Sequence, residues 1–282
     1  MKFHIEQNVT PEHVRVILPM LSTANAVGAL QIYQAAQQMG HRITYDYVRR
    51  NLKVLADLGL LKDQARLFTL SPSGVAAQAL LRLKPAAFQD VMHFLFYTSW
   101  DITYTSELAF CWTYQTICNL LWDARPTVIQ GQKLVADVVD LAQTRFPEQG
   151  RIALTDWAIE GAYQWLRALE PPFVKVPAAG GRRKTGGGRT GCSTELLLLA
   201  VDYLYRKLRL PYQSPLPLDE VRIRSICQLC LLDTTSFKET ADATVKAFGP
   251  LTAHGNERAM TLTLTRPIRL EGLVDAGTAA AT

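Results

Sequence analysis

"ITYDYVRRNLKVLADLGLLKDQARLFTLSPSG", residues 43–74, decides how the first third of this chain is read. Val48, Leu52, Leu55 and Leu58 recur at spacings of three and four, which predicts a helix with one buried apolar stripe. Arg49, Arg50 and Lys53 fall off that stripe. Thr44 is placed to cap the helix, and Gly59 to end it. Two short strands, Leu60–Lys62 and Leu67–Leu70, then flank the turn Asp63-Gln64-Ala65-Arg66. Ahead of the stretch, Thr10 and Pro11 open one helix. A second is predicted from Thr23 to Met39, stopping at Gly40. Behind it, a further helix follows "SPSG" and runs to Lys84.

In this order, the turn Leu58-Gly59-Leu60 and the close Leu70-Ser71-Pro72-Ser73-Gly74 resemble the winged helix-turn-helix domains of bacterial and archaeal transcription factors. The resemblance covers about residues 10–84. It implies a recognition helix at 45–58 that enters a DNA major groove. On that implication Thr44, Tyr45, Tyr47, Arg49, Arg50 and Lys53 contact double-stranded DNA, and the wing adds Lys62, Gln64 and Arg66. Two other readings of the same residues stand beside it. Asp46 with Arg50, and Lys53 with Asp57, are i,i+4 pairs of the kind that decorate any solvated helix. Winged helices also dock proteins.

Working outward, the composition supports a sizeable core: 48% of the 282 residues are apolar and 20% are charged. The net charge is +5, and residues 171–194 carry five basic side chains and no acid. The positive field is therefore local, which suits a polyanion. Its centre, "VPAAGGRRKTGGGRTGC" (176–192), reads as a basic glycine-rich loop, with Arg182, Arg183, Lys184 and Arg189 as further DNA contacts. An inert linker is the competing reading. The P-loop pattern fails here, because Gly187 and Gly188 occupy the positions that need Lys and Ser/Thr.

Five cysteines, an odd count, argue against a disulfide scaffold. No apolar run reaches the ~18 residues of a membrane span, and the first residues lack a secretory signal, so a cytoplasmic protein without membrane contact is expected.

The expected fold class is mainly α: the winged helix (1–84), a helical domain (85–175), the basic loop (176–192), a C-terminal helical and hairpin piece (193–273) and a disordered tail (274–282). The middle is rich in aromatics, and Trp100, Trp112, Tyr114 and Trp122 sit at helical spacing, as core residues do. The segment "LTDWAIEGAYQWLRALEPPFV" (154–174) reads as a bundle helix or as a second, degenerate winged helix. Met260, Leu262 and Leu264 alternate with threonines, as in a half-buried strand. No repeat of fixed period is apparent.

Signals for catalysis are absent from the sequence. There is no acid-x-Lys strand, Gly-x-Ser-x-Gly elbow or dinucleotide fingerprint, and the five histidines are scattered. Cys227-x-x-Cys230 lacks the second pair that a structural zinc site needs, and reads as core. No catalytic residue, metal or cofactor is expected. The function expected is a non-catalytic DNA-binding accessory subunit of a DNA-handling system (phage defence, restriction or a mobile element). The alternatives are a transcriptional regulator whose body dimerises or senses a ligand, and a protein-docking module. Duplex DNA is the expected partner, with protein partners or a homodimer beside it.

Overall fold

The computed structural model describes the chain except residues 2, 4–8, 126, 128, 130, 176–183, 186–187, 257–258 and 279–282. It is mainly helical with small antiparallel sheets, as the sequence predicts.

The N-terminal unit contains α1 (Pro11–Ile17), β1 (Val27–Gly28), α2 (Ala29–Gln38), α3 (Tyr45–Asp57), β2 (Leu61–Gln64), β3 (Leu67–Leu70) and α4 (Pro72–Leu83). Helix α3 forms as the stripe dictates. Val48, Leu52 and Leu55 are fully buried, each contributing roughly 1.5–3 kcal/mol of apolar burial. The Thr44 hydroxyl accepts from the Tyr47 N–H at 3.3 Å. Gly59, at φ +76°, reverses the chain so that the Leu60 N–H reaches the Leu55 carbonyl at 2.9 Å.

One expectation fails here. The second helix starts at Ala29, not Thr23, because residues 27–28 pair with β3 through Val27↔Phe68 and Gly28↔Leu67. The Gln31 side chain then caps the helix by accepting from the Gly28 N–H at 2.7 Å.

The body contains α5 (Pro85–Thr103), α6 (Ala109–Asp123), α7 (Gly131–Arg145) and α8 (Asp156–Arg167). Trp100, Trp112, Tyr114 and Trp122 are all buried, so these rings belong to the core. Helix α8 runs into a two-stranded hairpin, β4 (Val174–Lys175) and β5 (Lys184–Thr185), whose second strand lies within the glycine-rich stretch.

The last third contains α9 (Thr194–Lys207), β6 (Pro215–Pro217), α10 (Glu220–Cys230), α11 (Phe237–Ala247), β7 (Leu251–Asn256), β8 (Ala259–Leu264) and α12 (Glu271–Thr278). Helix α9 is buried along its whole length from Glu195 to Tyr205 and packs on α5, α10 and α11. One continuous apolar core joins the N-terminal unit, the body and the last third. The segment expected as a disordered tail from residue 274 continues α12 through Thr278.

The chain also repeats an arrangement that its sequence hides. From α1 to β3 the elements run helix, strand, helix, helix, strand, strand, and the sheet order is β1-β3-β2. From α9 to β8 they run in the same order, and the sheet order is β6-β8-β7. Leu61 pairs with Leu70 in the first hairpin, as Leu251 pairs with Leu264 in the second. The residue after each hairpin donates its N–H to the residue before it: Ser71 to Leu60 O at 3.0 Å, and Thr265 to Pro250 O at 2.9 Å. Helices α4 and α12, which follow the two hairpins, pack on each other, and the Ser73 hydroxyl donates to Glu271 Oε1 at 2.8 Å across that seam.

Candidate ligand cleft

The residues that α3 holds off its buried stripe project toward the helical body. Arg49 Nη2 lies 2.8 Å from Asp46 Oδ1, and Arg50 Nε approaches the other oxygen of the same carboxylate. The Arg49 hydrogen bond holds the Asp46 carboxyl below its usual range, with Arg50 assisting. One turn on, Lys53 pairs with Asp57. Burial pushes the Asp57 carboxyl up, against the pull of Lys53. Across from them, at the turn before α6, Glu107 is held low by hydrogen bonds from its own backbone N–H and the Ser106 hydroxyl, with the charge of Lys53 adding to them.

Of these, Arg49, Arg50, Lys53, Asp57 and Glu107 line a cleft of about 790 Å³. One wall is Leu30, Tyr45, Arg49, Arg50, Lys53 and Val54, closed at one end by Asp63, Arg66 and Phe68 of the hairpin. The other wall is Val9, Phe96, Glu107 and Phe110. Tyr45, 47% exposed, stands at the mouth and meets Tyr33 edge-on at 6.2 Å. The volume lies in the ~300–1,000 Å³ range of small-molecule sites, and the lining sets seven charged side chains beside apolar ones such as Phe68, Phe96 and Phe110.

The other residues named from sequence have different places. Thr44 is spent on the cap. Tyr47 is half-buried against His13. Lys62 and Gln64 are exposed on β2 and lie outside the cleft lining. Arg182 and Arg183 lie outside the described residues, as does the side chain of Lys184, which opens β5.

Arg189 requires a correction. It is 1% exposed, and its Nη1 sits 2.8 Å from the buried Asp90 Oδ1. Its Nε and Nη2 donate to the carbonyls of Pro171 and Glu170 at 2.9 and 2.7 Å. No phosphate reaches a guanidinium enclosed in this way. A basic residue counted from sequence has gone to neutralise a core carboxylate.

Sequence reasoning missed Phe96, Glu107 and Phe110, because nothing local marks the body residues that will face α3. The cysteines of the Cys227-x-x-Cys230 pair are both fully buried. Burial pushes the Cys227 thiol up to about 12 and Cys230 well above the usual range.

No family model and no curated protein matches this chain. Among solved structures, a crystal structure of SspB is similar over 100% of this chain and 88% of its own, with a TM-score of 0.61 at 11% identity. At that identity the likeness shows the fold alone. A structure of an O-methyltransferase family protein from Burkholderia thailandensis spans 91% of this chain and 93% of its own at 11% identity, but its TM-score of 0.20 carries no argument. The expectation of a DNA-binding accessory subunit does not stand: the likeness to SspB is one of fold and brings no such role to this chain.

Proposed function

We propose that the chain is a ligand-binding protein built from winged helix-turn-helix units, one at about residues 10–84 and a second at 194–264. Its main site is the cleft between α3 with its hairpin and the body. The ligand class is a small organic anion: an apolar, preferably planar body carrying one acidic group. The observation that carries this reading is that Arg49, Lys53 and Arg66, though largely exposed, line one open cleft with Phe96, Phe110 and Tyr45. Four basic side chains there face the acids Asp57, Asp63 and Glu107, so the lining is positive by one charge. The apolar walls supply affinity, and the cations fix orientation. Binding, with no turnover, is the activity we assign. Among the described residues no helix is long and apolar enough to cross a membrane. The free cysteines suit a reducing compartment, and we place the chain in the cytoplasm.

Titration with 1-anilinonaphthalene-8-sulfonate, a fused aromatic ring with one sulfonate, tests the reading. Saturable one-to-one fluorescence enhancement is expected. Arg49→Ala combined with Arg66→Ala should weaken it about tenfold, which corresponds to ~1.4 kcal/mol, and Arg222→Ala on α10 should leave it unchanged. Non-saturating binding, or equal affinity in the double variant, overturns the assignment. So does a duplex DNA fragment that binds through the same arginines with a steep salt dependence.

A further inference from the structure

The two repeated units differ in how the hairpin joins the helix after it, and a second hollow lies where they differ. In the N-terminal unit only Ser71 separates β3 from α4. Helix α4 then lies so close to the chain before β2 that a Cβ on Gly74 would stand 2.0 Å from Leu60 O. No space remains there. In the C-terminal unit, residues 265–270 separate β8 from α12. At the corresponding place, between Pro250 and the start of α12, lies a hollow of about 380 Å³.

Its floor is apolar: Leu198 of α9, Phe248 and Pro250 ahead of β7, and Leu273 of α12. Its edge carries Arg266 and Arg269, both exposed and neither ion-paired with a described residue. The one acid in the lining, Glu271, is engaged by Ser73. The loop is fixed before any ligand arrives, since the Ile268 N–H donates to the buried Asp202 Oδ1 at 3.1 Å and the Thr265 N–H to Pro250 O. A pre-ordered loop lowers the entropic cost of binding.

We propose that this hollow is a second binding site, separate from the cleft, for a small monocarboxylate with a compact apolar body. The two guanidinium groups hold the carboxylate, as planar donors suited to bidentate contact. Leu198, Phe248 and Leu273 cover the apolar part. A bare phosphate would leave that floor unused, and a neutral molecule would gain nothing from the two exposed guanidinium groups.

The full-length protein and 4-fluorobenzoate, followed by 19F NMR, test the proposal. Saturable line broadening is expected. It should weaken at least tenfold in Arg266→Gln combined with Arg269→Gln, whose side chains are exposed and whose helical circular dichroism should match the parent. It should persist in Arg49→Ala combined with Arg66→Ala, the variant that removes two of the cleft's four cations. The alcohol 4-fluorobenzyl alcohol should broaden at least tenfold more weakly. Equal binding of the alcohol, unchanged binding in the Arg266/Arg269 variant, or loss of binding in the Arg49/Arg66 variant each overturns it. The last outcome would place the probe in the cleft and leave the cleft's own assignment standing.

Discussion

Arg189 and Asp90 form an ion pair sealed inside the protein, Nη1 to Oδ1 at 2.8 Å, with side chains 0% and 1% exposed. The pair ties the turn at Glu170-Pro171 and the chain before α9 to the first half of α5. Asp90 also accepts from the Ser193 N–H at 2.7 Å, fixing the start of α9. Removing one partner leaves an uncompensated buried charge, which costs about 3–5 kcal/mol. Arg189→Met is therefore expected to lower the urea midpoint steeply, while Arg189→Met with Asp90→Leu recovers most of the loss. If the single variant shifts stability by less than about 1 kcal/mol, the pair does not hold these elements together.

His93 is buried between two partners. Its Nε2 lies 2.7 Å from the Leu229 carbonyl, which can only accept, so Nε2 carries the proton and Nδ1 accepts from the Tyr114 hydroxyl at 2.9 Å. Burial lowers its pKa to about 4, with the carbonyl bond opposing the shift. The ring is neutral in the fold and titrates at ~6.5 once unfolded. The unfolded chain thus takes up a proton first as the pH falls, and stability drops between about pH 6.5 and 4, then levels below that. The effect is on the order of 3 kcal/mol. His93→Gln, which keeps a donor and an acceptor but cannot titrate, should flatten that part of the pH–stability curve. Parallel curves for the two proteins would show that His93 is not held neutral.

What the sequence revealed follows from how local each signal is. Helix α3, its Thr44 cap and its Gly59 stop are set by neighbours within a few residues, and they formed as read. Arg189 was misread because a count of charges carries no record of burial, and its partner lies in another helix. Strand β6 was missed because Pro215 and Pro217 break the usual strand pattern. They are tolerated because β6 is an edge strand, paired on one side to β8. The repeat was hidden for a related reason. Between the two units, backbone pairing persists while the side chains change, so that Gly59-Leu60-Leu61 corresponds to Gly249-Pro250-Leu251. The cleft could not be read at all, since Arg49 and Phe110 meet only after the chain has folded.

The hairpin β2–β3 turns through Ala65 and Arg66, at φ 54° and 67°. Gln64 pairs with Leu67 around them, and Asp63 Oδ1 accepts from the Arg66 N–H at 2.9 Å. Two successive left-handed residues in a two-residue loop are the geometry that favours Asn-Gly, and other residues lose about 1–2 kcal/mol per position there. Ala65→Asn with Arg66→Gly should raise stability by about 1 kcal/mol, after the added freedom that glycine gives the unfolded chain. Denaturant unfolding measures this directly. The same variant removes one cleft cation, so it should gain stability while losing affinity for the sulfonate probe. A loss of both would refute the turn geometry.

Gly74 makes the sharpest test of how the N-terminal unit closes. It is buried in the first turn of α4, where the Ser71 hydroxyl accepts its N–H at 3.0 Å. A Cβ there would sit 2.0 Å from Leu60 O and 3.2 Å from a Leu70 methyl. Because the obstacle is backbone, no side chain can rotate away, and α4 must lift from the sheet. Gly74→Ala should cost about 2–3 kcal/mol, at the upper end of overpacking effects, although alanine by itself favours a helix by ~1 kcal/mol. Gly272→Ala is the matched control. It occupies the first turn of α12 in the C-terminal unit, where nothing lies within 4 Å of the added carbon. That variant should be neutral or slightly stabilising. A thermal melt of the two proteins side by side decides the matter, and equal melting temperatures would mean that the two units close in the same way.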